Sequence, residues 1–354
     1  MKGFEPHWWL RNGHAQTIAA SFAMRRFLLP AGEERLFRVD AETQVKGMCH
    51  WQREEPQRRT RAQSDELEAS GAEKHGSKDP PLHLERPVVV TVHGLEGSCE
   101  SNYSVGIADK AWARGFHSVR MNQRNCGGSE RLTPTLYNSG LSGDYRAVLE
   151  ELIAEGFEQV FFVGYSMGGN LVTKMAGELG AAAPTELKGV AVVCPALDLA
   201  ACADALEKPV NFLYERHFVR GLMTRYRWKA ELFPERYRKD GFGPIRTVRE
   251  FDDEITAPCF GFKDAEEYYE AASAKKVIGK VAVPLLLITA KDDPFVPYES
   301  FLRVRVKENP LVRFVGTEHG GHCGFISRFA GAERFWAEER IVEFVAEKSG
   351  KVKK

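Results

Sequence analysis

Short apolar runs recur along the chain, separated by stretches whose apolar residues fall at helical spacing. Seven runs are rich in β-branched residues and predict strands, at residues 47–51, 88–92, 117–121, 160–163, 189–193, 285–289 and 312–315. Residues 144–153 and 300–306 show the spacing of one helical face, and residues 333–347 predict a closing amphipathic helix. Continuous apolar strands that alternate with helices indicate an α/β fold, with a mostly parallel sheet covered on both faces.

Two segments interrupt this alternation. Residues 52–86 are rich in Arg, Glu, Gln, Ser and Pro and hold almost no large apolar side chains, which predicts a mobile surface insertion. Residues 201–280 are long enough to form a helical cap, so we expect a core made of residues 1–200 and 281–354. The cap mixes aromatic and basic residues, which suits either a solvated helical face or a surface for anionic lipid or a substrate carboxylate.

Composition and charge narrow the classes of function. The 354 residues, 43% of them hydrophobic, suffice for one α/β domain of ordinary size with an inserted segment. Lys plus Arg and Asp plus Glu number 49 each, so no net field attracts nucleic acid. The seven cysteines are scattered without CxxC or CxxxxH spacing, so we expect neither a disulfide framework nor a zinc site. This cysteine pattern favours a reducing, cytoplasmic setting. Neither a signal-peptide pattern nor a run of about 18 apolar residues occurs.

The run Gly164-Tyr165-Ser166-Met167-Gly168 lies between a predicted strand and a predicted helix. A serine at the tip of such a sharp turn is lifted clear of the sheet, where it can act as a nucleophile. The positions two before and two after the serine approach closely, and Gly164 and Gly168 suit this because they lack a side chain. The pattern predicts that Ser166 is a nucleophile, with an ordinary glycine-rich turn as the alternative.

A serine nucleophile needs an imidazole that takes its proton and a carboxylate that orients the imidazole. In sheets of this topology the chain order is serine, acid, histidine. His319 and His322 both lie in the loop after the last predicted strand. The two glycines before His322 let that loop approach the serine, which favours His322 as the base. We interpret His319 as a loop residue with a local hydrogen bond.

Three carboxylates are candidates for the acid. Asp292 and Asp293 follow the strand at 285–289. Asp293 precedes a proline, which restricts its backbone and fixes the direction of its side chain, so we favour it. Asp292 suits hydrogen bonds to nearby N–H groups of the turn. Asp198, after the strand at 189–193, is the third candidate, with helix capping as its alternative role.

Acyl transfer also requires donors that face the developing oxyanion. The backbone N–H of Met167, directly after the serine, is the first expected donor. The loop after the strand at 88–92 reads His93-Gly94-Leu95-Glu96-Gly97, and the N–H of Leu95 is the second. His93 is less suited to be the base, because a histidine at this position shapes the loop.

The chain resembles the YheT-like branch of the α/β-hydrolases, also called AB-hydrolase family 4. The resemblance covers nearly the whole chain and rests on motifs at residues 12–17, 93–98, 122–129, 163–170, 291–295 and 319–325. It implies an α/β-hydrolase fold with a helical cap insertion, and a serine hydrolase with Ser166, Asp293 and His322 as its triad. Members of this family are described as esterases, lipases, phospholipases and alcohol acyltransferases.

We therefore expect an enzyme that hydrolyses carboxylic esters, with short- to medium-chain acyl groups or lipid esters as substrates, through an acyl-enzyme. No metal or organic cofactor is expected. The alternatives are acyl transfer to an alcohol or thioester hydrolysis by the same residues, and a non-catalytic binding module on this fold. The expected partner is a small-molecule or lipid ester; nucleic acid and a membrane span are not expected, whereas peripheral contact with lipid is compatible with the cap.

Overall fold

The computed structural model describes residues 2–54, 80–239, 242–304 and 306–350. Within these residues, one eight-stranded sheet has the order β1-β2-β4-β3-β5-β6-β7-β8. The strands are β1 (Glu33–Arg38), β2 (Gln44–His50), β3 (Val88–Val92), β4 (His117–Met121), β5 (Val160–Tyr165), β6 (Leu187–Val193), β7 (Leu285–Ala290) and β8 (Val312–Thr317). Strands β3 to β8 run parallel to one another, whereas the β1–β2 and β2–β4 pairs are antiparallel. The expected mostly parallel α/β sheet is confirmed.

Strand β1 was not predicted from the sequence. It lies at the edge of the sheet, where only one neighbour pairs with it, and most of its side chains are at least partly exposed. Phe37 is its one fully buried side chain. An edge strand of charged residues lacks the continuous apolar run that marks the buried strands.

Helices connect most of the strands. In chain order they are α1 (Gly13–Phe22), α2 (Asn102–Ala113), α3 (Ser142–Ala154), α4 (Met167–Leu179), α5 (Leu199–Leu206), α6 (Phe212–Leu232), α7 (Val248–Phe251), α8 (Ala257–Cys259), α9 (Ala265–Ala272), α10 (Tyr298–Arg303) and α11 (Trp336–Lys348). A π-helical turn, Asp252–Thr256, joins α7 to α8. Among the described residues, no helix is both long enough and apolar enough to cross a membrane.

The buried side chains form two apolar clusters, one on each face of the sheet. Val90 and Phe162 pack with residues of α3 and α4. Their neighbours along the strands, Val89 and Phe161, pack with residues of α2 and α11. Successive side chains of a strand point to opposite faces, so a strand that is covered on both faces is apolar at every position.

The two interrupting segments differ in the structure. Between β6 and β7, every regular element of the described residues is helical, from Leu199 to Lys280; we use the name cap for this segment. Residues 55–79 of the insertion expected at 52–86 lie outside the described residues. The described ends of that insertion lie side by side: the Glu54 N–H donates to Pro81 O at 2.9 Å, and Arg53 and Leu82 form an isolated antiparallel β-bridge.

Candidate active site

Ser166 is the single residue between the end of β5 and the start of α4. Its backbone has φ 54° and ψ −119°, in the left-handed half of conformational space, which is costly for a residue with a Cβ. Hydrogen bonds hold this conformation: the Ser166 N–H donates to Val193 O at 2.9 Å, and its carbonyl accepts from Asn170 N at 3.1 Å. The strand and helix thus present the hydroxyl on a rigid turn.

Glycines make the turn possible. A Cβ on Gly164 would clash with the carbonyl oxygen of Gly168, and a Cβ on Gly168 would clash with the carbonyl oxygen of Val92. Both obstructing atoms belong to the backbone and cannot rotate away. The close approach of residues 164 and 168 is therefore a steric requirement of this turn.

We expect Gly164→Ala to lower the free energy of unfolding by about 1–3 kcal/mol, because the methyl group overpacks a backbone contact. The matched control is Gly143→Ala in α3, where a Cβ would meet no atom within 4 Å. Helix propensity predicts that the control is neutral or stabilises the protein by up to about 1 kcal/mol. Urea unfolding of both variants measures the difference, and equal effects would contradict the steric account.

The structure brings Asp293 and His322 together. His322 lies in the loop after β8, and its Nδ1 donates to Asp293 Oδ2 at 2.8 Å. The Asp293 side chain is fully buried, and its Oδ1 accepts the N–H groups of Phe295 at 3.0 Å and Val296 at 2.9 Å. Those two bonds fix the carboxylate, and the carboxylate in turn fixes the imidazole.

Charge and burial act in opposite directions on His322. Burial disfavours the imidazolium and is the largest single effect, but the Asp293 carboxylate and the neighbouring Cys323 together outweigh it, so the pKa of His322 is raised above its usual value. The Nδ1 bond to Asp293 leaves Nε2 as the ring nitrogen that can accept a proton. Ser166 and His322 line the same cavity.

The other two carboxylates have different partners. Asp292 Oδ1 accepts the Gly321 N–H at 2.8 Å, and its second oxygen pairs with His319 at 3.5 Å. Asp198 is the N-cap of α5 and pairs with Lys275 at 3.2 Å. Asp292 and His319 thus support the loop that carries His322, whereas Asp198 links the residue before the cap to the C-terminal part of the cap.

His93 is buried beneath the loop that follows β3. Its Nδ1 donates to Gly94 O at 2.8 Å and its Nε2 accepts the Gln123 N–H at 3.1 Å. Burial lowers the pKa of His93 to about 4, so the ring stays neutral. Both ring nitrogens are occupied, which suits a residue that shapes the loop.

The loop after β3 lies directly against the serine. A Cβ on Gly94 would lie 3.1 Å from Ser166 Cβ and 3.6 Å from its Oγ. Leu95 and Met167 both line the cavity that contains Ser166. Among the backbone hydrogen bonds that the described residues form outside regular helices and strands, none is donated by either of these N–H groups. This is consistent with the expectation that both donate to an oxyanion at the serine.

The sequence did not reveal how the cap supports this loop. Glu96, at φ 59°, accepts from Arg225 Nε of α6 at 3.0 Å on each carboxylate oxygen and from Tyr137 OH at 2.6 Å. Arg225 also donates to Asn125 O at 2.7 Å. Glu96 and Arg225 are 129 residues apart, so no local motif could connect them.

The cavity around Ser166 measures about 440 Å³, within the range of small-molecule sites. Apolar side chains from the core and the cap dominate its wall, among them Leu95, Met167, Leu206, Phe218, Leu222 and Phe295. Asp252 of the π-helical turn, a buried acid, also lines it and accepts from Tyr269 OH at 2.8 Å. Burial raises the pKa of Asp252 to about 7. No sequence signal pointed to this acid.

Potential metal ligands also occur at the site. Among the described residues, Cys194, His322 and Cys323 form a group whose ligand atoms lie within 4.8 Å of one another.

Comparisons with known proteins place the chain among hydrolases. Residues 87–329 match a family model described as the alpha/beta hydrolase fold. YheT of Escherichia coli (strain K12) is 33% identical over 272 residues, which cover 76% of this chain and 79% of YheT. The esterase Pf2001 of Pyrococcus furiosus shares the fold, with a TM-score of 0.53 and 13% identity over 89% of this chain and 92% of that one.

Two further relatives are named for lipid hydrolysis. Phospholipase ABHD3 of Mus musculus is 30% identical over 68% of this chain, and the monoacylglycerol lipase of Saccharomyces cerevisiae is 29% identical over 75% of it. The chain spans 59% of the phospholipase and 61% of the lipase. Together with YheT, these similarities confirm the expected YheT-like resemblance.

Proposed function

The chain belongs to the α/β-hydrolase family, in its YheT-like branch, and we propose that it is a serine hydrolase that cleaves carboxylic esters through an acyl-enzyme. One observation carries the proposal. His322 is held by a fully buried Asp293 at 2.8 Å and lines the same cavity as Ser166, the residue at the tip of the strained turn. A nucleophile, a base and an orienting carboxylate are the parts that this chemistry needs.

In the first half-reaction, Ser166 Oγ attacks the ester carbonyl while His322 Nε2 accepts the hydroxyl proton. Asp293 stabilises the imidazolium and keeps the ring in the required tautomer. The N–H groups of Leu95 and Met167 donate to the oxyanion of the tetrahedral intermediate. His322 then gives its proton to the leaving alkoxide, and the alcohol departs from the acyl-enzyme.

In the second half-reaction, water replaces the alcohol. His322 Nε2 takes a proton from the water, whose oxygen attacks the acyl carbon on Ser166. The same two N–H donors hold the second oxyanion. When the intermediate collapses, the proton returns to Ser166 Oγ and the carboxylic acid leaves.

Arg225 should act as a positioning residue for this chemistry. We expect Arg225→Ala to lower kcat about 10- to 100-fold with a smaller change in KM, because Glu96 loses its charged partner and the Leu95 N–H moves away from the oxyanion. The matched control is Arg227→Ala, an exposed residue of the same helix. Steady-state kinetics on one ester distinguishes the two. Equal effects of the two variants, or a change confined to KM, would contradict this role.

The substrate class follows from the wall of the cavity. Its apolar side chains, and the lipid-hydrolase names of two relatives, support short- to medium-chain acyl groups or lipid esters. The cap supplies much of this wall, and we propose that it selects the acyl group. Two elements that line the cavity also carry exposed apolar side chains, Phe22 of α1 and Leu213 of α6, 80% and 77% exposed. They support peripheral contact with lipid.

A series of p-nitrophenyl esters, from acetate to palmitate, tests the proposal. We expect turnover with kcat/KM highest at short or medium chain length, since the cavity is of limited volume. Added ethanol separates hydrolysis from acyl transfer, because a transferase forms the ethyl ester instead of the acid. A matched thioester series tests thioester hydrolysis by the same residues. No turnover of any ester in the series would contradict the proposed activity.

A further inference from the structure

Two cysteine thiols lie beside the proposed base. Cys194 follows β6 directly, and Cys323 is the neighbour of His322. The two sulfur atoms and a ring nitrogen of His322 lie within 4.8 Å of one another. We propose that these three side chains bind a soft divalent cation, Zn²⁺ or Cd²⁺, and that the bound cation switches the hydrolase off. The second half of this inference rests on the proposed function.

Each thiol contacts the backbone of the segment that carries the other cysteine. Cys194 Sγ accepts the Cys323 N–H at 3.4 Å and lies 3.6 Å from Gly321 O. Cys323 Sγ lies 3.7 Å from Val193 O. Both cysteines have positive φ, 45° and 60°, which residues with a Cβ rarely adopt. The two unusual conformations bring together thiols that are 129 positions apart.

The spacing and chemistry of the three atoms suit a soft cation. Ligands of a tetrahedral zinc ion with Zn–S bonds of 2.3 Å are about 3.8 Å apart, so each pair here needs to close by about 1 Å at most. Two thiols and one imidazole select zinc or cadmium over magnesium or calcium, which prefer oxygen ligands. Three protein ligands leave the fourth position open to water.

The surroundings meet two further requirements of a metal site. A ligating histidine usually donates its other ring N–H to a carboxylate, and Asp293 already holds Nδ1 of His322 in this way. His322 and Cys323 line the cavity, which gives a cation a route to them, while Cys194 is fully buried behind.

Binding would remove the catalytic base. Each thiol loses its proton to solvent as its sulfur bonds the cation, and His322 contributes a lone pair. If the cation takes Nε2, the proton acceptor for Ser166 is lost. If it takes Nδ1, Asp293 is displaced. Either outcome stops attack by the serine.

Scattered cysteines without local spacing gave no indication of zinc in the sequence. The ligands are at position 194, after β6, and at positions 322 and 323, after β8; both loops lie at the carboxyl ends of the parallel strands. These residues are far apart in the sequence and come close only in the folded chain.

Cobalt and zinc titrations of the full-length protein test the proposal. We expect Co²⁺ to produce a thiolate charge-transfer band in the near ultraviolet, and Zn²⁺ to inhibit ester turnover reversibly, with full recovery in EDTA. Cys194→Ala and Cys323→Ala should each lose the band and raise the inhibitory Zn²⁺ concentration about 10-fold or more. Each variant is compared with its own metal-free activity. The control is Cys259→Ala, an exposed cysteine of the cap, which should behave like the wild type.

The two readouts separate the two claims. A band in the wild-type protein without any ester turnover would support the metal site and contradict the proposed function. Turnover with no band and no Zn²⁺ inhibition would overturn the metal site and leave the hydrolase intact. A band that persists in both cysteine variants would also overturn it. The wild-type titration decides the matter even if a variant fails to fold.

Discussion

Ser166→Ala should lower kcat/KM for a p-nitrophenyl ester by about 10⁴- to 10⁶-fold, the scale on which loss of a triad nucleophile acts. Without Oγ no acyl-enzyme forms, and what remains is the effect of binding and the oxyanion donors on attack by water. The fold should persist, because alanine has the same Cβ at the strained φ of 54° and the hydroxyl makes no capping hydrogen bond to α4. Circular dichroism and steady-state kinetics check both statements.

The control for this variant is another serine of the same cavity. Ser139 lines the cavity and is buried, and its hydroxyl takes no part in the proposed mechanism. Ser139→Ala should therefore change kcat/KM by about 10-fold at most. If Ser166→Ala kept wild-type turnover, or if both variants lost activity equally, Ser166 would not be the nucleophile.

Asp293→Asn should lower kcat about 10⁴-fold, because an amide can present its NH₂ group to Nδ1 and stabilise the wrong imidazole tautomer. The amide is nearly the same size as the carboxylate, and its carbonyl oxygen can still accept the N–H groups of Phe295 and Val296. The loss should therefore fall on kcat and leave the stability of the fold nearly unchanged. Kinetics and thermal unfolding of the same preparation measure the two effects.

Asp292→Asn is the matched control, since it makes the same chemical change one residue away. Asp292 accepts the Gly321 N–H and pairs with His319, whereas among the described residues the hydrogen bond to His322 comes from Asp293. A modest loss, about 10-fold at most, is expected. A larger loss from Asp292→Asn than from Asp293→Asn would show that Asp292, and not Asp293, is the acid.

Much of the fold could be predicted because buried parallel strands have a simple signature. Val88–Val92 and Leu285–Ala290 are covered on both faces, so every position is apolar and the run stands out. The serine turn could also be predicted from the sequence, because its geometry requires glycine at positions 164 and 168. Where one local constraint sets the residue type, the sequence carries the information.

The missed features depend on contacts between distant parts of the chain. Strand β1 lies at an edge, where exposure removes the apolar pattern. The Glu96–Arg225 pair joins the core to the cap, and the acid Asp252 lines the cavity only because the cap folds over it. Such pairings depend on tertiary packing, which local pattern does not encode.

Labelling with a fluorophosphonate, followed by tandem mass spectrometry, shows whether Ser166 is an activated nucleophile. We expect one phosphonate adduct per chain, located on Ser166, with much slower labelling in Asp293→Asn because the base is disoriented. An adduct on another residue, or a folded protein that the probe fails to label at Ser166, would contradict it.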